Sequence, residues 1–193
     1  MKVCNTPEEK NIDAYAIAVY FEKAFDSIDW NYLWEALESF NIPKSFIGMI
    51  KLLYNDIESC VKNNGTSTPY FKVSRGVRQG DPIAAYLFTL AIELLAISIR
   101  HNEKISGIKI NDAEIKLSMY ADDLTGLVVG IASIKELMVI INNFKNISGL
   151  GVNTDKTELM PLGSSKVADI EGLGYKIVKE LKITGITFTY IHE

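Results

Sequence analysis

Two adjacent carboxylates, Asp122 and Asp123, stand at a break between two strand-like runs, Lys116–Met119 and Leu124–Val129. Short apolar runs bounded by a polar break read as strands of a half-buried or buried sheet. The chain must turn between them, and the turn fixes at least one carboxylate where the sheet surfaces. Like charges so close repel, and a divalent cation relieves the repulsion. Mg²⁺ takes hard oxygen ligands from one or two carboxylates together with substrate phosphates. The plain alternative is a solvated acidic turn, because Asp is a common turn residue. The pair alone does not decide between the two.

The flanking pattern sets the fold class. Ala14–Tyr20 is a short apolar run with polar neighbours and predicts a buried strand. Asp29 is placed to cap a helix over Trp30–Phe40, where Leu33, Leu37 and Phe40 recur at helical spacing. Asn41-Ile-Pro43 ends it, and Ser45 opens a second amphipathic helix to Tyr54. Ile57–Lys62 and Pro69–Val73 predict strands joined by a turn at Asn63-Asn64-Gly65. Pro82 suits the first turn of a long, buried helix to His101. A second hairpin is expected from Ile105–Ile110 and Glu114–Met119 around Asn111-Asp112. Ser133 is placed to cap a helix to Ile147, and short strands are expected near Thr157–Leu162 and Ile183–Tyr190. Hairpins interleaved with helices make the class α+β, with helices packed on one face of an antiparallel sheet.

Composition narrows the function classes. The chain has 193 residues, 48% hydrophobic and 23% charged, which excludes collagen-like, low-complexity and disordered chains. The net charge of −4 counts against a surface that grips nucleic acid all over. Cys4 and Cys60 lie far apart without metal or disulfide spacing, so a reducing compartment is expected, cytoplasmic or nuclear rather than secreted. The polar first ten residues are not a signal peptide. The most apolar stretch, Pro82–Ile99, falls short of the roughly 20 residues that span a bilayer and carries Glu93, so no membrane role is expected.

One segment departs from the global charge. Ser74-Arg-Gly-Val-Arg-Gln-Gly-Asp-Pro82 is a glycine-punctuated loop feeding a helix N-terminus, where unpaired N–H groups and the dipole suit a phosphate. No acid occurs between Glu58 and Asp81, while Lys62, Lys72, Arg75 and Arg78 form a basic stripe. A glycine-rich connection with solvated basic residues is the bland alternative.

Three segments occur in a telling order: Phe21-Glu-Lys-Ala-Phe-Asp-Ser-Ile-Asp-Trp30, Arg75-Gly-Val-Arg-Gln-Gly-Asp-Pro82 with Tyr86-Leu-Phe88, and Tyr120-Ala-Asp-Asp123. The chain resembles the palm of reverse transcriptases of the non-LTR (LINE-type) retrotransposon class. Gly149-Leu-Gly-Val-Asn-Thr-Asp-Lys-Thr-Glu158 is similar to the family's next motif, and Gly185-Ile-Thr-Phe188 to its strand at the palm–thumb border. The resemblance runs from about Ala14 to Tyr190. It implies a single palm domain over residues 1–193, with motifs over 14–162 and the start of the thumb border over 163–193. It implies RNA-directed DNA polymerisation: a primer 3′-hydroxyl attacks a deoxynucleoside triphosphate on an RNA template, with two metal ions, Mg²⁺ or Mn²⁺. Asp122 and Asp123 would be the metal-binding carboxylates. Phe25 resembles the steric gate at the sugar 2′ position, with a core aromatic as its alternative. Gln79 and Gly80 would contact template or the nascent pair, with Arg75 and Arg78 beside them. Lys156 would approach the leaving group as charge partner or proton donor.

The resemblance breaks at one position that matters. In the family a carboxylate stands five residues before the gate aromatic, and counting back from Phe25 gives Tyr20. A neutral phenol, with an ordinary pKa near 10, ligates hard cations poorly. Asp13 has the wrong spacing for that strand face, and Glu22 and Asp26 already belong to the family pattern. Ala84-Ala85 stands where relatives often carry Ser-Pro, a lesser departure. The reading is a palm-centred polymerase fragment, with fingers and thumb largely missing or supplied by another chain, and catalytically impaired. Its rival is a non-catalytic remnant that binds nucleic acid or a partner. A nucleotide cyclase on a similar palm is disfavoured by the Arg-Gln-Gly-Asp-Pro loop together with the gate aromatic.

Overall fold

Strand β1 (Asp13–Val19) is buried from its second residue to its last. The structure is a computed structural model that describes residues 12–190, so Cys4 lies outside the described residues. A short helical turn α1 (Ala24–Ser27) follows, then α2 (Trp30–Ser39) and α3 (Lys44–Leu53). The Asp29 carboxylate accepts from the Asn31 and Tyr32 amides at 2.8 and 3.2 Å, the predicted cap of α2. Two small ladders come next: β2 (Glu58–Ser59) with β5 (Phe71–Lys72), enclosing β3 (Lys62–Asn63) with β4 (Thr66–Ser67). The turn is the two residues Asn64 and Gly65, with φ of 46° and 80°, so the returning strand starts earlier than Pro69.

The long helix α4 (Ala84–His101) leads to β6 (Ser106–Ile110), β7 (Ala113–Ile115), β8 (Leu117–Tyr120), β9 (Asp123–Val129) and α5 (Ile131–Ser148). The predicted strand Glu114–Met119 is split at Lys116. That side chain turns inward, and its ammonium donates to the Asn102 carbonyl at 2.8 Å, so β7 stays with β6 while β8 crosses to β9. Ser133 is not the cap of α5; Gly130 occupies that position, and the buried Ser133 hydroxyl accepts from the Ser106 amide instead. The last part holds β10 (Glu158–Gly163), β11 (Lys176–Ile177), β12 (Glu180–Ile183) and β13 (Ile186–Thr189). The strand expected over 183–190 is therefore a hairpin, turned at Thr184-Gly185, both at positive φ.

The main sheet runs β11-β10-β1-β9-β6-β7, with β8 also on β9. All its pairs are antiparallel except β10–β11. β1 sits in the middle, which is why it is apolar on both faces. The odd-numbered side chains Tyr15, Ile17 and Val19 join the large core with α2, α4 and α5. By length and composition α4 could cross a membrane. In this fold its Leu87, Phe88, Ala91, Ile92 and Leu95 are buried in that core. Tyr32 of α2 donates its hydroxyl to the Ala91 carbonyl at 2.7 Å, tying the two helices together. The even-numbered Ala16 and Ala18 face the other way, against Met160 and Leu181, so the β12–β13 hairpin covers part of that second face. The larger core and its helices thus lie on one face, and Tyr20 is half-buried at the end of the other.

Candidate active site

The register brings the site together. β1 pairs with β9 through Ala18–Thr125 and Val19–Leu124, so the next residue, Tyr20, stands opposite Asp123. On the other side Ala18 pairs with Glu158 of β10. Side chains of one parity share a face, which puts Tyr20, Asp123 and Glu158 together on that second face. The charges agree. Burial pushes the Tyr20 phenol above its ordinary pKa, the Glu158 and Asp123 carboxylates push it further, and Lys176 pulls it partly back. Tyr20 is therefore a neutral phenol across the physiological range, not an anionic ligand.

Asp122 is the second residue of a two-residue turn whose flanking residues, Tyr120 and Asp123, still pair. Ala121, the first, has φ of 50°. An L-residue other than Gly, Asn or Asp is costly in that region, on the order of 1–2 kcal/mol. The hairpin bears that strain and presents both acids to solvent, exposed and without an ion pair among the described residues. Two such carboxylates fit one Mg²⁺ whose remaining sites take water and phosphate. They do not fit a pair of ions by themselves. Glu158, the other acid on this face, is held by Lys176 at 2.7 Å, and burial of neither charge is deep. Among the described residues no group of three or more His, Cys, Asp or Glu side chains gathers to hold a metal.

Lys156 comes from an excursion of the chain beside the strand end. Phe21 bridges Val152 and the Tyr20 carbonyl accepts from the Asn153 amide at 2.7 Å, whereas Ala18 already pairs with Glu158. The residues between must bulge outward, and the Lys156 amide is pinned to the Asn153 carbonyl and carboxamide at 3.2 and 3.1 Å. Its side chain is exposed and forms no ion pair among the described residues.

The basic loop is strapped to the turn after β1. The Gly76 and Val77 amides donate to the Ile28 and Phe25 carbonyls at 2.7 and 2.6 Å, and the Trp30 indole N–H donates to the Gly76 carbonyl at 2.8 Å. A Cβ on Gly76 would lie 2.8 Å from the Asp26 backbone, and its φ is 84°, so only glycine allows this approach. Phe25 is half-buried, stacked on Phe88 at 4.4 Å between ring centres. Arg75, Arg78, Gln79 and Gly80 are all exposed along the loop. The helix N-terminus after it is less open than the sequence implies. Asp81 accepts from the Ile83 amide at 3.0 Å through its carboxylate, and the Ala84 amide donates to its carbonyl, so a hydrogen-bonded turn precedes the helix, which begins past Pro82.

Tyr54 lies under this loop. Its hydroxyl is buried and lacks a hydrogen bond of good geometry. Burial and Asp81 push its pKa up, while the Arg78 amide and guanidinium nearby pull it down. Removing a buried, poorly satisfied hydroxyl relieves a desolvation cost. Tyr54→Phe is therefore expected to melt at the same temperature as the unaltered chain or up to a few degrees higher, by about 0–1 kcal/mol. A loss above that in a thermal melt would mean that the Arg78 contact outweighs the cost of burial.

Comparison with known proteins gives the site its context. The family model described as "Reverse transcriptase (RNA-dependent DNA polymerase)" matches residues 4–188. The chain is 30% identical over 148 residues to the "Transposon TX1 uncharacterized 149 kDa protein" of Xenopus laevis, covering 76% of this chain and 11% of that one. It is also 30% identical over 134 residues to the "Retrovirus-related Pol polyprotein from type-2 retrotransposable element R2DM" of Drosophila melanogaster, covering 69% and 12%. The chain thus spans only about a tenth of these relatives. Among solved structures it is similar in fold to apo telomerase from Candida tropicalis, with a TM-score of 0.62 at 18% identity over 95% of this chain and 35% of that one. Telomerase from Candida albicans, solved with a fragment of telomeric RNA, gives a TM-score of 0.61 at 11% identity over 92% and 29%.

Proposed function

Because the chain belongs to the reverse transcriptase (RNA-dependent DNA polymerase) family, in its non-LTR retrotransposon branch, we propose that it is the palm-centred part of an RNA-directed DNA polymerase whose nucleotidyl transfer is impaired at Tyr20. The single observation that carries this is the phenol opposite Asp123, one register step beyond the last β1–β9 pair. Divalent metal, Mg²⁺ or Mn²⁺, would supply Lewis-acid stabilisation of the oxygens of the reacting phosphate. Asp122 and Asp123 would hold it from the hairpin turn. The ammonium of Lys156, exposed and free of acid partners among the described residues, would neutralise or protonate the departing pyrophosphate. Phe25, rigid on Phe88, would stand at the sugar edge of the incoming deoxynucleotide. Gln79, Gly80, Arg75 and Arg78 would lie along the template and nascent pair, where exposed guanidiniums can bind phosphates bidentately. An RNA template and DNA primer are the partners this reading requires.

The second reading, a nucleic-acid-binding remnant without catalysis, is favoured by the same phenol. Both readings predict that a primer–template is retained in a salt-dependent way, because Lys72, Arg75 and Arg78 are exposed. Neutralising the three residues to Gln is expected to reduce the salt slope by about 2–3, since each phosphate contact contributes nearly one. Filter retention between 50 and 200 mM salt, roughly the range over which such contacts are lost, reads this. An unchanged slope would remove the basic stripe from the interface. Retention without extension, and no gain on Tyr20→Asp, would favour the remnant.

A further inference from the structure

Beside the basic loop, away from Asp122 and Asp123, a cavity of about 370 Å³ opens between α2, the end of α3 and strand β5. That is the lower end of the range of small-ligand sites, roughly 300–1,000 Å³. Its walls are aromatic. Tyr54 stands edge-on to both Trp30 and Trp34, at 5.5 and 5.7 Å between ring centres, which fixes the two indoles. Its mouth is cationic: the Lys51 ammonium sits 5.6 Å from the Trp34 ring centre, and Lys72 faces Asp56 at 3.6 Å. Both members of that ion pair are about three-quarters exposed, so it yields readily to a competing phosphate.

We propose that this cavity takes one unpaired nucleobase of a single nucleic-acid strand, stacked against Trp34 and Trp30, with Lys51 and Lys72 on the flanking phosphates. Aromatic rings interleaved with cations are what single-strand binding surfaces combine, because every base has a stacking face and every linkage a charge. The cavity is also mechanically joined to the loop that carries Gln79. The Trp30 indole N–H holds the Gly76 carbonyl, and Asp29, the cap of the same helix, bridges Arg75. A base in the cavity therefore lies on a strand that continues along Arg75 and Arg78. The identification of that strand as template rests on the polymerase reading above; the stacking site itself needs only a single strand.

The chain has two tryptophans, and both line this cavity, so tryptophan fluorescence, excited selectively over the nine tyrosines, reports on it. The unaltered chain is titrated with single-stranded RNA and DNA oligonucleotides of the same sequence and with an abasic oligonucleotide of equal length, while filter retention is followed in parallel. Quenching by the base-bearing strands and not by the abasic one is the expected result. Lys51→Ala, an exposed change that spares the core, is expected to weaken the quenching constant roughly threefold to tenfold, and Trp34→Leu by roughly tenfold or more. Retention of the oligonucleotide without quenching, or equal quenching by the abasic strand, overturns the cavity site and leaves the polymerase reading standing. No retention of any strand overturns both.

Discussion

A Tyr20→Asp variant is expected to bind Mn²⁺ at least about tenfold more tightly than the unaltered chain, as read by the loss of the free-ion electron paramagnetic resonance signal. The expectation follows from register. Position 20 stands opposite Asp123, so in the proposed metal site a carboxylate there would add a third hard ligand to the two on the hairpin. Loss of an outer-shell partner alone typically costs roughly 10–100-fold in affinity or activity, and a direct ligand should count for more. The same substitution is expected to lower stability without metal by about 1–2 kcal/mol. It replaces a packed ring beside Ala18 and Met160 with a charge between Glu158 and Asp123. Added divalent ion should return that stability, since a ligand that binds only the folded state stabilises it. Tyr20→Phe keeps the packing and supplies no ligand, so its melting temperature should respond to the ion no more than that of the unaltered chain. A metal-independent Tyr20→Asp would place the carboxylate outside the ligand sphere.

The second large effect concerns the scaffold that carries the turn after β1. Gly149→Ala is expected to cost about 3 kcal/mol. Gly149 ends α5 with φ of 79°, and a Cβ there would stand 2.5 Å from the Ser27 carbonyl oxygen. An alanine in the left-handed region costs on the order of 1–2 kcal/mol, and forcing a backbone oxygen aside adds a similar amount. The neighbouring Ser148 carbonyl accepts from the Asp29 amide at 2.8 Å, so the displacement also loosens the cap of α2. For a chain of this size the expected fall in melting temperature is roughly 6–12 °C. A shift under about 2 °C would mean that the two segments slide apart without cost.

Much of this arrangement is legible in the sequence because it is local. Asp29 before Trp30, the apolar run of β1 and the acid pair between two strands each carry their own signal. The count back from Phe25 to Tyr20 needs only a motif. What the sequence hides are the relations made by register and by charges far apart in the chain. Glu158 looks like the end of a loop motif until its pairing with Ala18 puts it on the face of Tyr20, and its partner Lys176 comes from a parallel strand of two residues. The division at Lys116 depends on a carbonyl of Asn102 that no periodicity reveals. Ser133 reads as a cap because Ser favours that position, yet tertiary demand at the Ser106 amide decides its role. The hairpin over 180–189 was within reach, since Thr184-Gly185 is a turn dipeptide between two short apolar runs.

The open end of the sheet holds two carboxylates on a strained turn and a phenol where the resemblance implies an acid, and the proposed site sets Lys156 beside them. Primer extension on an RNA template with Mg²⁺, run side by side for the natural sequence and the Tyr20→Asp variant, tests the proposed arrangement most directly. Extension should be absent or at trace level with Tyr20. It should rise at least about tenfold in the Tyr20→Asp variant, at equal retention of the primer–template. Robust extension by the natural sequence would contradict the proposal that Tyr20 impairs nucleotidyl transfer.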